Sequence, residues 1–136
     1  MVKINIVYEG GLHCRLTHGP SGASISTDAP KDNNGKGEAF SPTDLVAAAL
    51  GSCMMTVMGI AAARHGVDLK GATIDVSKEM IIAPVRCIGA LDVILGMPKG
   101  IPADKRSMLE HAAHTCPVHK SLHPDIKIPV QFIYPD

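Results

Sequence analysis

The chain has no tryptophan, and only two phenylalanines and two tyrosines stand among its 136 residues. Its apolar content of 46% is enough for a core, but that core must be built from small and aliphatic side chains. Charge of one sign is missing as well: thirteen basic and thirteen acidic residues cancel, with no cluster of Lys or Arg. Nucleic acid and anionic membranes therefore have no electrostatic footprint here and are not expected as partners. No C-x-x-C pair and no zinc-ribbon spacing occurs among the four cysteines, at positions 14, 53, 87 and 116. The opening, MVKINIVYEG, lacks the charged-then-apolar layout of a signal peptide and alternates like a strand, so the cytoplasm is the expected compartment. In that reducing compartment the cysteines do not read as a structural disulfide framework.

The length predicts a single domain over 1–136. Residues 2–8, about 11–17 and about 21–28 read as short strands punctuated by Gly10-Gly11 and Gly19-Pro20. A polar loop over 28–40 is long for so small a domain. Two longer strands follow the central helix, at 68–80 and 85–95, paired as a hairpin around Ala83-Pro84. Residues 102–115 form an amphipathic pattern with Met108, Leu109, Ala112 and Ala113 inward. Pro117 starts a short helix, and DIKIPVQFIYP closes with a strand. The order β-β-β-α-β-β-α-α-β predicts an α+β fold without a βαβ repeat.

SPTDLVAAALGSCMMTVMGIAAARHG carries the strongest local signals. Ser41 suits the N-cap, Pro42 the first helical position, and Asp44 stands three residues after the cap. Arg64 and His65 fall in the last turn before Gly66. Between Asp44 and Arg64 lie 19 residues without a charge. That is nearly the length of a membrane span. The abundance of Ala, Gly, Ser and Thr and the soluble look of the flanking strands favour a buried helix instead. A helix apolar on every face has to be covered on every face, and one small sheet cannot do that. The expected cover is a second subunit, hence a homodimer wrapped around these helices.

Each cysteine has a plain reading beside a chemical one. Cys53 lies about three turns into the helix, beyond the reach of the helix dipole, so it either fills space or is activated by another segment. Cys116 precedes Pro117 at a helix start, where free N–H groups favour a thiolate and His114 or His119 can add positive charge. Its alternative is a half-buried junction residue. Cys14 and Cys87 fall inside predicted strands and read as packing residues. Met54, Met55 and Met58 beside Cys53 would suit Cu(I), although Met at helical spacing is ordinarily core.

HAAHTCPVHKSLHP, residues 111–124, gathers His111, His114, Cys116, His119 and His123. His111 and His114 share a helix face, and with Cys116 and His119 they invite a zinc reading. Pro117 turns the chain between them, and metal-bound histidines need supporting acceptors. No metal is expected at this cluster.

SPTDLVAAALGSCMMTVMG, followed some sixty residues later by AAHTCPVHKSL, resembles the OsmC/Ohr family of osmotically inducible and organic-hydroperoxide-resistance proteins. The likeness extends over nearly the whole chain, including the order of elements and the apolar helix. It implies an OsmC-like fold, an intertwined dimer around a buried central helix, and a peroxidase without metal or organic cofactor. It further implies that Cys53 attacks the peroxide and Cys116 resolves the sulfenic acid to a disulfide, which a dithiol reduces. Two positions depart from the hydroperoxidases of the family. Their Glu after the helix-start Pro is Thr43 here, with Asp44 the closest carboxylate that could assist. Their Arg is absent from the loop, which offers Lys31 and Lys36, while Arg15 lies in an earlier strand. A Lys lacks the planar fork with which Arg holds thiolate and carboxylate together, so the chain is more similar to a less characterised OsmC-like branch. The expected function is thiol-dependent reduction of small organic hydroperoxides. The alternative is a non-catalytic module binding a hydrophobic small molecule in the dimer cleft.

Overall fold

A computed structural model describes residues 1–135. The chain divides into two compact units, one over Met1–Val46 and one from Ala47 onward.

The first unit is a three-stranded antiparallel sheet, β1 (Ile4–Tyr8), β2 (His13–His18) and β3 (Ser24–Asp28), in the order β1-β2-β3. Gly10 and Gly11 take positive φ in the turn between β1 and β2, a conformation that costs glycine nothing. The polar loop after β3 is organised: it holds a 3₁₀ turn over Lys31–Asn33. Its ends are tied together where the Asp28 N–H donates to the Phe40 carbonyl at 3.1 Å.

α1 (Pro42–Arg64) begins as the capping signals require. The Ser41 Oγ accepts from the Asp44 N–H at 3.1 Å, and the Asp44 carboxylate accepts from the Ser41 N–H at 2.9 Å, a reciprocal capping box with Asp in place of Glu. The helix stops at Gly66, which takes positive φ.

The second unit carries a mixed sheet in the order β4-β5-β6. β4 (Thr73–Ile81) pairs antiparallel with β5 (Cys87–Gly96), and β6 (Val130–Ile133) pairs parallel with β5. The β4–β5 hairpin turns at Ala83-Pro84, whose peptide is cis. The first long strand starts at Thr73 rather than at 68, because Asp68 accepts the Lys70 N–H and Gly71 takes positive φ in a turn. Leu91, Val93 and Leu95 alternate inward from β5 and meet Leu50, Met54 and Met58 of α1. Leu109 and Ala113 of α2 (Ala103–Ala113) complete the core, as the amphipathic pattern predicts.

α1 is long and apolar enough to cross a membrane by length and composition. Its buried stripe is Ala47, Leu50, Gly51, Met54, Met58 and Ala62, the spacing of one helix face on a sheet. At Gly51 helix and sheet approach closely: a Cβ there would meet Val76 Cγ2 at 2.9 Å. Ala48, Ala49, Ser52, Thr56, Ile60 and Ala63, on the outer side, are exposed in the single chain.

Candidate functional site

α2 ends at Ala113, the chain bends, and Cys116 caps the five-residue α3 (Pro117–Ser121) with Pro117 at its first position. The Cys116 sulfur accepts the His119 N–H at 3.3 Å, and the Cys116 carbonyl accepts the Lys120 N–H at 3.1 Å. Cys116 is 0% exposed and belongs to the core. Cys53 is half-buried on α1 and packs against that core. It lies on the border between the buried stripe, where Leu50 and Met54 are, and the exposed stripe of Ala49, Ser52 and Thr56. The two cysteines, 63 positions apart in sequence, are neighbours: after burial, the side chain of Cys53 is the next largest influence raising the Cys116 thiol. Both are free thiols, without a disulfide between them.

The electrostatics of Cys116 differ from the sequence expectation. A sulfur at a helix start is expected to favour the thiolate, and the His119 N–H does pull in that direction. Burial outweighs it and pushes the Cys116 thiol above the ordinary value of 9.0, with the Cys53 side chain adding to the rise. A five-residue helix offers too little dipole to reverse this. Nor does His119 supply a cation. Burial first, then Lys120 and His114, lower its pKa, so the ring is neutral at pH 7. Its Nδ1 is buried without a hydrogen-bond partner.

Asp44 is not brought to the pair by its helix. The nine positions between Asp44 and Cys53 amount to about two and a half turns, which places the two side chains on opposite faces. The Asp44 carboxylate instead accepts the Ser41 N–H. The Thr43 and Ser41 hydroxyls are 3.3 Å apart. Arg15 pairs with Glu9, Nε to Oε2 at 3.4 Å. Cys14 is half-buried in β2, in keeping with a packing residue, but Cys87 is exposed at the start of β5, where pairing with Ile81 leaves it at the hairpin mouth.

The histidine-rich stretch disperses. His111, His114 and His123 are exposed, and the His114 ring stands T-shaped to Phe132 with centroids 6.2 Å apart. His114 and His119 ring centroids stand 6.3 Å apart. Among the described residues no three His, Cys, Asp or Glu side chains converge as metal ligands. Met54 and Met58 are fully buried in the core and Met55 is packed against it.

One constellation escaped sequence reasoning. His13 Nδ1 lies 2.6 Å from Asp28 Oδ1, and Asp28 Oδ2 accepts the Glu38 N–H at 3.0 Å. Asp28 is only 4% exposed. The His13 hydrogen bond is the main force holding its carboxyl below the ordinary value of 3.8, against the opposing effect of burial. The pair faces a cavity of about 450 Å³ also lined by Gly10, Gly11, Lys36 and Glu38. Two residues fifteen apart carry no spacing signal, but β2–β3 pairing places His13 opposite Asp28, and a committed hairpin register would have found them.

The two cysteine motifs fall within residues 35–131, the span matched by a family model described as OsmC-like protein. The chain belongs to the OsmC-like family. The OsmC-like protein is also similar over its length to a crystal structure from Psychrobacter arcticus, of a protein named provisionally for osmotic-stress induction and a detoxification response. Identity there is 40%, with 98% of this chain and 96% of that one covered and a TM-score of 0.92. An OsmC-like protein of Mycoplasma pneumoniae shares the fold at 14% identity, covering 98% and 96% of the two chains with a TM-score of 0.81. So does the organic hydroperoxide resistance protein OhrB of Bacillus subtilis, at 16% identity, 98% coverage of both chains and a TM-score of 0.70. No curated protein matches the chain.

Proposed function

We propose that this protein is a thiol-dependent peroxidase that reduces organic hydroperoxides through Cys53 and Cys116. The observation that carries the reading is that these two free thiols, one half-buried and one fully buried, are neighbours that influence each other's side chain. Its fold is that of proteins named for organic hydroperoxide resistance, which supports the substrate class.

The Cys53 thiolate attacks the outer oxygen of the hydroperoxide, the O–O bond breaks, and the alkoxide leaves as the alcohol after taking a proton. Cys53 is then a sulfenic acid. Cys116 attacks the Cys53 sulfur, the S–O bond breaks, and the hydroxyl departs as water with the proton that Cys116 gives up. A raised thiol pKa suits this second role, because a protonated Cys116 does not compete for peroxide and carries the proton that the leaving oxygen needs. A dithiol returns the disulfide to two thiols. No step draws on a metal or an organic cofactor. Asp44, committed to the helix cap, is a positioning group for α1 in this scheme.

We further propose that the protein acts as a cytoplasmic homodimer. The exposed apolar outer side of α1 supports the second subunit. Sedimentation velocity showing twice the chain mass is the expected result. The function itself is tested by cumene hydroperoxide consumption with dithiothreitol. Cys53→Ser is expected to lose at least about a hundredfold in rate, since no other thiol replaces the attacking sulfur. Equal rates in the variant and the wild type would overturn the assignment.

A further inference from the structure

The first unit carries a cavity that the cysteine pair does not use, the space of about 450 Å³ beside His13 and Asp28. We propose that it binds a small zwitterion of the α-amino acid class, with Lys36 taking the carboxylate and Glu38 the ammonium group. This goes beyond the peroxidase reading and does not depend on it.

The charges select the ligand. Lys36 and Glu38 both line the cavity, two residues apart on the loop after β3. Among the described residues neither side chain has an ion-pair partner, and the two do not pair with each other. Opposite charges that share a cavity without meeting suit a ligand of both signs, whose two ends satisfy them separately. A simple anion would face the Glu38 carboxylate, and a simple cation would face the Lys36 ammonium. Asp28 does not compete for the ligand's positive end, because both of its oxygens are engaged. His13 Nδ1 lies 2.6 Å from Oδ1, and Oδ2 accepts the Glu38 N–H at 3.0 Å.

The walls are fixed by the protein itself. Asp28 is buried and ties the His13 ring and the Glu38 backbone to one point, so the loop is fastened to the sheet at the cavity. The Ala29 N–H donates to the Leu12 carbonyl at 3.1 Å, and the Gly37 N–H to the Ala29 carbonyl at 3.2 Å. Gly10 and Gly11 line the cavity as bare backbone, and a Cβ on either would meet nothing within 4 Å. Leu12 follows them at φ 60°, a conformation unfavourable for leucine. It is held there by its own N–H on the Tyr8 hydroxyl at 3.3 Å and by the bond from Ala29. Strain over-determined in this way is characteristic of ligand clamps. A site ordered in advance loses little on binding, and its volume is that of a small-molecule site.

A second subunit has no call on this side of the sheet. The strand register puts His13, Arg15, Ser26 and Asp28 on one face and Ile6, Tyr8, Leu16 and Ile25 on the other. The apolar face is the one that needs cover. His13 and Asp28 line the cavity from the polar one.

The test uses the full chain, isotopically labelled and titrated with each of the common L-amino acids while the amide resonances of Gly10, Gly11, Glu38 and Ala39 are followed by NMR. Saturable shifts at these amides with at least one amino acid, at a Kd below about 10 mM, are the expected result. The analogues of that amino acid lacking either the amino or the carboxylate group are expected to bind at least about tenfold more weakly. Lys36→Met and Glu38→Gln, both at exposed positions, are each expected to weaken binding by a similar factor, with the remaining resonances confirming the fold. Cys53→Ser is expected to bind as the wild type does, which separates this outcome from that of the peroxidase assay. No saturable shift with any amino acid overturns the inference. So does equal affinity for an analogue of single charge, or undiminished affinity in either variant.

Discussion

Each of the two units of the chain is stabilised internally by different means. In the first, the only buried residues among those described are Thr27, Asp28 and Ser41, all polar and all tied by hydrogen bonds. Its apolar side chains Ile4, Ile6, Tyr8, Leu12 and Ile25 are exposed. In the second, thirteen hydrophobic residues, Cys116 among them, form one buried cluster. Hydrogen bonds specify geometry but add little net stability, whereas burial of apolar surface adds much. Cys53 and Cys116 both lie in the unit that has a core of its own. An enclosed thiol such as Cys116 can only be made there.

That contrast can be broken by mutation. Leu109→Ala in the second unit removes a fully buried side chain and is expected to cost about 2–5 kcal/mol of stability, read from urea midpoints. Ser41→Ala removes the cap of α1, with an expected loss of about 1 kcal/mol by the same measurement. Ile6→Ala on the exposed face of β1 is expected to change stability by no more than about 0.5 kcal/mol. A loss above about 2 kcal/mol there would show that the face is covered in solution, and its dependence on protein concentration would identify the cover as a second copy. The smallest effect belongs to acid. Asp28 has its folded pKa below the unfolded value of 3.8, so its contribution is present above that pH and is lost as the pH falls through the folded value. Thermal melts between pH 5 and 2 are expected to show a fall that Asp28→Asn lacks.

Much of the fold was legible because its signals are local. Ser41, Pro42 and Asp44 start α1 where the capping rules place them, and Gly66 stops it. Pro117 starts α3, and the alternation of β5 faces the core as written. The misses have physical causes. The strand expected from position 68 yields five residues to an Asp68–Gly71 turn, because a side-chain acceptor and a positive φ outweigh weak alternation. The parallel β5–β6 pairing joins segments that no local rule connects. The thiolate expected at Cys116 followed from the helix start, but the depth of the residue in the core is a tertiary property and it decides the sign. Cys53 gained meaning from the resemblance and not from its spacing; only the fold brings a second sulfur to it. His13 and Asp28 needed a register that the sequence does not spell out.

The close approach at Gly51 has a consequence for how this site can change. The depth at which α1 lies on β4 is set by a missing methyl group two residues before Cys53, since any Cβ at 51 runs into Val76 Cγ2. A stand-off fixed by an absence is adjustable in one direction only. A residue with a Cβ at this position makes either the Val76 side chain or that part of the helix give way, and no natural side chain brings the two closer. Cys53 rides on the same stretch of helix, so a substitution at position 51 is felt two residues from the sulfur pair.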